Sequence, residues 1–516
     1  MAAKVNVSLF VPEKLGTIDP LIYGHFSEHI GGVIYDGIWV GENSHIPNIN
    51  GFRKDLVEKF RAIKPSVLRW PGGCFAEIYN WRDGIGPKEE RPIIRNWWIG
   101  DDGRYETNEF GTHEFIEFCR LVGAEPYIAA NITSMTPMDI RDWIDYCNSP
   151  AGTTTMARLR EKNGHKEPFN VKYWGVGNET WGGGGNMTPE VYGHEFRKYS
   201  VIMRNSASNL CLIGSGANHN DWKWARDFLN VVENSDRNMG GFSLHFYCGT
   251  QGTATEFTEN QYYRLLRQAA DIKSAIDRNW GFVVGYGLEK HGRLVIDEWG
   301  CWHKGGSGPS ADLINNNRQA AANNPNRVEN LFEQQSTMRD AVVAALSLNI
   351  FNNNPEKILM TTVAQTVNNL HSLFLAGDGY MICTPTYHVF DMMKYHQGAK
   401  ALRIISDAGE ITYNNPENGR EERIERLSLS ASEKDGVITV TAANLSYNDE
   451  LHFDLKAYGV KLQDVCEYEL LTSDDVHHHN TPEEPEKVKL SKGILNVNDE
   501  IIIPPYSVAT LRMKSI

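Results

Sequence analysis

Eight short apolar runs, each followed by a polar loop and most by a helical pattern, constrain this chain more than any other feature. They lie at 20–26, 66–70, 126–131, 171–177, 209–216, 240–247, 293–298 and 357–363. Helical periodicity fills 51–63, 112–122, 137–148, 189–206, 222–233, 258–278 and 328–349. Strands that alternate with helices build a parallel sheet, because each helix crosses back over the sheet before the next strand begins. Such a sheet either closes into a (β/α)8 TIM barrel, the α/β fold expected here, or stays open as a doubly wound layer. The polar residues favour closure. His25, Arg69, Asn131, Asn178, His245, Glu298 and Gln365 stand at or just past the C-terminal ends of predicted strands, and that rim is where barrels assemble their sites.

After about residue 395 the texture changes. Segments 423–431, 436–443, 450–456, 466–471, 486–491 and 500–513 alternate apolar with polar residues between Asp-Gly, Asn-Asp and Pro-Pro breaks. Period two without helical periodicity predicts an antiparallel, jelly-roll-like β-sandwich. The run at 4–10 is expected to join it, since chain termini commonly lie close together. The expected division is a barrel over 17–395 and a sandwich from 1–16 plus 396–516. An Asn-rich stretch, 314–326, falls on a long insertion between strands seven and eight, where substrate loops commonly occur.

Composition narrows the partners. With 65 acidic and 51 basic residues the net charge is −14, whereas nucleic acid and anionic membrane both require concentrated basic surface. Neither is expected. The first residues form no signal peptide and no 18-residue apolar run occurs, so a cytoplasmic protein is expected. Eight cysteines are scattered without a CxxC pair, as suits reduced thiols. Many of the 13 Trp and 21 Tyr must fill the core, yet aromatic faces also suit the C–H faces of sugar rings.

Two carboxylates stand apart from the rest. Glu179 lies in Tyr-Trp-Gly-Val-Gly-Asn-Glu-Thr-Trp, residues 173–181, and Glu298 in Arg-Leu-Val-Ile-Asp-Glu-Trp-Gly, residues 293–300. They follow strands four and seven, across the barrel mouth from each other, so both can face one bond. Glycoside hydrolysis needs such a pair: one group protonates the leaving oxygen and the other meets the oxocarbenium-like centre. Other chemistries lack support. Neither GxSxG nor HExxH occurs, and Gly182 to Gly185 lacks phosphate-binding spacing. That glycine run is expected to let the loop beside Glu179 bend close to the substrate. His477-His478-His479 lacks ligand-spaced partners and reads as a solvated loop. No metal and no cofactor is expected.

Longer motifs carry a resemblance. Tyr23-Gly24-His25-Phe26-Ser27-Glu28-His29, Arg69-Trp70-Pro71-Gly72-Gly73 and the run from Tyr79 to Pro87 resemble glycoside hydrolase family 51 of the retaining barrel clan. Trp174 to Glu179, Ala364 to Asn368 and Pro504-Pro505-Tyr506-Ser507-Val508 extend the match over nearly the whole chain. The resemblance implies an exo-acting α-L-arabinofuranosidase, often assembled as a hexamer, acting on arabinoxylan- or arabinan-derived oligosaccharides. Glu179 takes the acid/base role and Glu298 the nucleophile role. Glu28, Asn178 and Gln365 match positions that bind the sugar hydroxyls, and Arg69 and Tyr247 match groups beside the nucleophile. Donors of that kind should lower the pKa of Glu298 and keep it ionised. Cys74 stands where many relatives carry Asn, so its sugar contact is weaker. Trp302 and Trp98 are placed at the entrance or the leaving-group side.

Bland readings stand beside these. Arg69 can serve as a buried ion-pair partner, Tyr247 as core packing, and Glu28, Asn178 and Gln365 as hydrogen-bonding groups of the rim. An endo-β-1,4-glucanase or xylan-active enzyme on the same scaffold is the nearest alternative. A silent carbohydrate-binding protein would ordinarily have lost one of the two glutamates.

Overall fold

The apolar runs close into a parallel barrel in the computed structural model, which describes residues 3–98, 105–233, 239–303, 332–496 and 500–516. The Asn-rich stretch 314–326 and the start of the helix expected over 328–349 lie outside the described residues. Barrel strands one to eight are Gly24–Phe26, Val67–Trp70, Glu125–Ala130, Tyr173–Val176, Cys211–Asn218, Met239–Gly249, Arg293–Trp302 and Ile358–Ala364. They pair in chain order, and strand eight returns to strand one with Thr362 opposite Gly24. Val67, Tyr127, Tyr173, Ile213, Val295 and Met360, from six different strands, pack together and fill the barrel floor. A filled floor leaves the C-terminal rim as the open face.

Several helices start at a Thr-Pro step. Thr136, Thr188 and Thr384 each cap a helix by accepting a backbone N–H three residues on, and the following Pro occupies the first turn, where its missing N–H costs nothing. Local chemistry also explains where expectation and structure part. The expected strand 20–26 begins instead as a 3-10 turn, Pro20–Tyr23, capped by Asp19. The expected helix 258–278 breaks at Asp271 into Glu259–Ala270 and Ile272–Gly285. The sequence reading lacked the helix Thr155–Lys162.

Most C-terminal strands form a nine-stranded sheet with its own apolar core of Val5, Val7, Leu402, Val440, Phe453 and Leu511 among others, while Glu410–Asn414 and Glu421–Glu425 pair apart from it. The N-terminal strand, Ala3–Thr17, lies inside it, antiparallel to Lys400–Ser406 and parallel to Leu451–Tyr458. The sandwich is therefore mostly, not wholly, antiparallel. The expected strand 423–431 is two, Glu421–Glu425 and Leu427–Lys434, and the expected strand 500–513 is Ile501–Ile503 and Val508–Ser515. Pro504 and Pro505 fall in the second gap, and proline cannot donate to a ladder.

The sheet meets the barrel along helix Met338–Asn352, nearly all of which is buried. That seam is polar and satisfied: Ser430 Oγ donates to Asn349 Oδ1 at 2.6 Å, and the His396 ring nitrogens meet Ser432 and Thr441. The His477–His479 tract belongs to the same region and is not a solvated loop. His477 packs on Phe257 and pairs with Asp475, while the carbonyl of His478 accepts from the Met338 backbone N–H. Among the described residues no helix is long and apolar enough to cross a membrane.

Candidate active site

The rim gathers its polar groups around one cation. Arg69, at the end of strand two, is fully buried and donates through Nη1 to Glu298 Oε1 at 2.8 Å and through Nη2 to Asn178 Oδ1 at 2.6 Å. Its Nε lies 3.6 Å from Asp297 Oδ2. Tyr247 donates its hydroxyl to the other oxygen of Glu298 at 2.9 Å. The sequence named Arg69, Asn178, Tyr247 and Glu298, and the structure brings all four together.

Asp297 and Glu298 are neighbours on strand seven, yet both face the site. Successive strand residues normally point to opposite faces. Here the register of strands six and seven slips between Ser243 and His245, so that His245 stands opposite Glu298. Such a bulge lets two consecutive side chains turn inward. Asp297 then accepts from Tyr127 at 2.8 Å and Ser243 at 2.5 Å.

His245 links the three carboxylates. Its Nδ1 is 2.8 Å from Glu179 Oε1 and 3.4 Å from Glu298 Oε2, and its Nε2 is 3.2 Å from Asp297 Oδ1. Burial alone would lower its pKa, but the Glu298 and Asp297 carboxylates overcome that and raise it to about 10. These carboxylates thus favour the protonated imidazole of His245. Asp297, for which burial acts upward, is held well below the carboxylate range by Arg69 and His245. For Glu298 burial wins: its pKa lies above the ordinary value despite His245 and Arg69. The Arg69 contact does act downward, as expected of a donor, but desolvation of the fully buried carboxylate exceeds it.

Glu179 follows strand four in a left-handed conformation, φ 41°. Its carbonyl accepts from the N–H groups of Gly182 and Gly184 at 2.7 and 3.1 Å, folding the glycine run back on it. A Cβ on Gly184 would sit 1.8 Å from the Asn178 carbonyl oxygen, so the fold-back requires glycine there. A second brace comes from Glu77, which the sequence reading missed. This buried carboxylate accepts the backbone N–H of Asn178 at 2.6 Å and those of Ile132 and Thr133 at 3.0 Å. Burial raises its pKa to about 7.

Glu28 and Gln365 occupy the opposite wall. Glu28 accepts from the Phe75 backbone N–H at 3.0 Å, from Trp98 Nε1 at 2.9 Å and from Gln365 Nε2 at 3.3 Å. Burial, reinforced by the Glu298 charge, lifts its pKa to about 7. Aromatic rings continue that wall, with Phe332 edge-on to both Trp98 and Trp302, and Trp302 edge-on to Tyr247. Cys74 sits between the walls with its thiol 3.9 Å from Glu179 Oε2. Two rim residues from the sequence do not belong here. His25 packs between Phe60 and Phe390, without a polar partner among the described residues, and burial drops its pKa to about 3. Asn131 braces its own loop through Tyr79 and Ser134.

Oxygen atoms of Glu179 and Glu298 and a ring nitrogen of His245 lie within 4.8 Å of one another. Three such atoms could hold a cation, but the Arg69 guanidinium already places positive charge beside Glu298. A buried group of Cys301, His303 and Asp340 is likewise attended by the Arg339 guanidinium, 3.1 Å from His303 Nδ1. A strong cation beside each cluster opposes metal binding. What the site can do is protonate and attack. Two glutamates facing each other across a barrel mouth, one gripped by Arg and Tyr, define a glycoside hydrolase.

Comparison with known proteins narrows the class. Residues 59–265 match the family model of the alpha-L-arabinofuranosidase 1 domain, and residues 297–507 that of the alpha-L-arabinofuranosidase C-terminal domain. An intracellular exo-alpha-L-arabinofuranosidase of Bacteroides ovatus is 37% identical over 509 residues, covering 96% of this chain and 92% of the relative. The crystal structure of the GH51 arabinofuranosidase from Xanthomonas axonopodis pv. citri superposes with a TM-score of 0.89 at 32% identity, covering 99% of this chain and 100% of that one. The arabinose complex of the Thermotoga maritima alpha-L-arabinofuranosidase gives 0.84 at 28% identity with the same coverage. The chain belongs to the α-L-arabinofuranosidases of glycoside hydrolase family 51.

Proposed function

We propose that this enzyme releases terminal α-L-arabinofuranosyl units by double displacement, with Glu298 as nucleophile and Glu179 as acid/base. The carrying observation is the grip of Arg69 and Tyr247 on Glu298 within 4.8 Å of a Glu179 oxygen. Carboxylate oxygens no farther apart than 4.8 Å suit direct attack with retention better than the wider spacing that an intervening water requires. In the first step Glu298 forms a bond to the anomeric carbon as that carbon's bond to the leaving oxygen breaks. Glu179 gives its proton to the departing oxygen. In the second step Glu179 takes a proton from water, whose oxygen displaces Glu298.

Asn178 supports the sugar-binding role. Its carbonyl is taken by Arg69, while its buried Nδ2 has no partner among the described residues, which leaves a donor for a substrate hydroxyl. Glu28 and Gln365 supply further polar atoms, Cys74 a weaker one, and Trp98 and Trp302 add aromatic faces beside them. The name of the Bacteroides relative supports exo-action, here on arabinoxylan- or arabinan-derived oligosaccharides. Family membership disfavours the endo-β-1,4-glucanase or xylan-active alternative. A cytoplasmic setting fits the name of the Bacteroides relative. We further propose a homo-oligomer, a hexamer by family resemblance, with a catalytic unit of 17–395 and an accessory unit of 1–16 plus 396–516.

Paired variants test the roles. Glu298→Ala should abolish turnover, and azide should restore part of it with a product of inverted configuration. Glu179→Ala should impair methyl α-L-arabinofuranoside far more than an activated aryl glycoside, which needs little protonation. Near-normal activity in Glu298→Ala, or equal losses on both substrates in Glu179→Ala, would overturn the assignment.

A further inference from the structure

Strand seven outlasts strand eight. Its ladder with strand eight ends where Trp299 faces Val363, yet strand seven runs on to Trp302. Strand six follows it to that end, with Cys248 opposite Cys301 and Gly249 opposite Trp302. Just beyond, the Thr250 N–H donates to the Trp302 carbonyl at 3.2 Å. Along a strand the backbone groups of alternate residues turn to opposite neighbours. Trp302 serves strand six, so Cys301 and His303 turn toward the side where strand eight has ended. Buried backbone groups without partners are costly.

Two side chains take the place of the missing strand. The Cys301 N–H donates to His371 Nδ1 at 3.2 Å. Gln334, itself buried, does more. Its Nε2 donates to the Cys301 carbonyl at 3.0 Å, and its Oε1 accepts the His303 N–H at 3.1 Å. One carboxamide thus bridges the residues on either side of Trp302. Gln334 is anchored in turn, its backbone N–H donating to the Asn368 carbonyl beyond strand eight at 3.3 Å. What the bridge holds is the Trp302 ring, half-buried and edge-on to Tyr247 at 5.2 Å and to Phe332 at 5.4 Å. Tyr247 is the residue that donates to Glu298.

We propose that Gln334 is a positioning residue, which stands in for a ladder partner at the end of strand seven and so fixes Trp302 for substrate binding. This rests on Trp302 being a substrate contact. The carboxamide bonds go to backbone, so Gln334 acts through the strand end and not on the reacting atoms. A strand end without a ladder opens easily, and the indole it carries would no longer be held against Tyr247. Binding suffers from that loss, whereas the bond-breaking step, carried by Glu179 and Glu298, does not.

The test reads kcat and KM separately on an aryl α-L-arabinofuranoside, in the full-length enzyme, for Gln334→Met, Trp302→Ala and the double variant. Methionine has nearly the size of glutamine and neither of its hydrogen-bonding groups. Gln334→Met should raise KM about threefold to tenfold, the worth of one well-placed aromatic contact, and leave kcat nearly unchanged. In the Trp302→Ala background the same substitution should add almost nothing, because residues that act as one are not additive. A KM effect of equal size in both backgrounds would overturn the proposal, as would a fall in kcat alone or no effect. Gln334→Asn carries the carboxamide on a shorter arm and should give a smaller rise in KM, which keeps the question answerable if Gln334→Met does not fold. The substrate contact is read separately from Trp302→Ala alone. An unchanged KM there refutes the contact and the proposal with it, whereas a raised KM beside an unaltered Gln334→Met refutes the proposal only.

Discussion

Replacing Arg69 by Met removes a buried guanidinium from Glu298 at 2.8 Å, Asn178 at 2.6 Å and Asp297 at 3.6 Å. Water cannot stand in, since the side chain is buried within the site. Two unit charges about 4 Å apart interact by about 4 kcal/mol at an effective dielectric of about 20, which corresponds to roughly three pH units. That is the ceiling for Glu298. His245 remains beside it, and relaxation absorbs part of the change, so a rise of about one to two units is expected. The direction is fixed. Glu298 must be ionised to attack, burial already raises its pKa and Arg69 opposes that rise. Without Arg69 the acid limb of kcat/KM moves to higher pH. Stability follows the same sign: a carboxylate whose folded pKa lies above its unfolded value loses stability as pH rises between the two. Breaking the pair should cost about 3–5 kcal/mol, with the larger fall in Tm at pH 8 rather than pH 5. Arg69→Lys retains the charge but not the fork, and should show a smaller limb shift. The assay is kcat/KM on an aryl α-L-arabinofuranoside between pH 4 and 8, with thermal unfolding at both ends. An acid limb that stays at its wild-type position in Arg69→Met would refute the reasoning.

Two further outcomes can be checked. Glu77→Gln keeps one acceptor oxygen for three backbone N–H groups, so about 1–3 kcal/mol of stability should be lost. Because burial raises Glu77 to about 7, the wild type loses stability as pH rises from the ordinary carboxylate range through 7, and the variant does not. The Tm gap between them should therefore narrow from pH 5 to pH 8; a gap that widens contradicts the assignment. Cys74 is held protonated by burial and by the Glu179 and Glu28 charges. Iodoacetamide at neutral pH should leave activity intact, which rapid inactivation with mass added at Cys74 would disprove.

The barrel was legible because its strands are short apolar runs and its rim is polar. The two glutamates were legible because each follows such a run. What escaped were features that local periodicity does not encode. His25 ends a strand as Arg69 does, yet it faces the helices and packs on Phe60 and Phe390. A strand end says how far along the barrel a residue sits; only register says which face it takes. Glu77 lies in a 3-10 turn, Cys74–Ile78, where neither a period of two nor of 3.6 applies.

Asp297 shows the limit most clearly. In a regular strand the residue before Glu298 would face the helices, and a charged residue there would read as a surface group. The slip between Ser243 and His245 turns it inward instead. Its signal in the sequence was only that an Asp-Glu doublet interrupts Arg-Leu-Val-Ile, a run otherwise suited to burial on both faces. A buried charge is tolerated only with partners, so the doublet implied hidden donors nearby. Those partners are the donors Tyr127 and Ser243 and the cationic groups of Arg69 and His245, contributed by strands two, three and six. The same argument explains why Asp297 and not Glu298 has the depressed pKa. Asp297 adds hydrogen bonds from Ser243 and Tyr127 to the charges of Arg69 and His245, whereas Glu298, gripped by Arg69 and Tyr247, also faces the repelling Glu179 carboxylate.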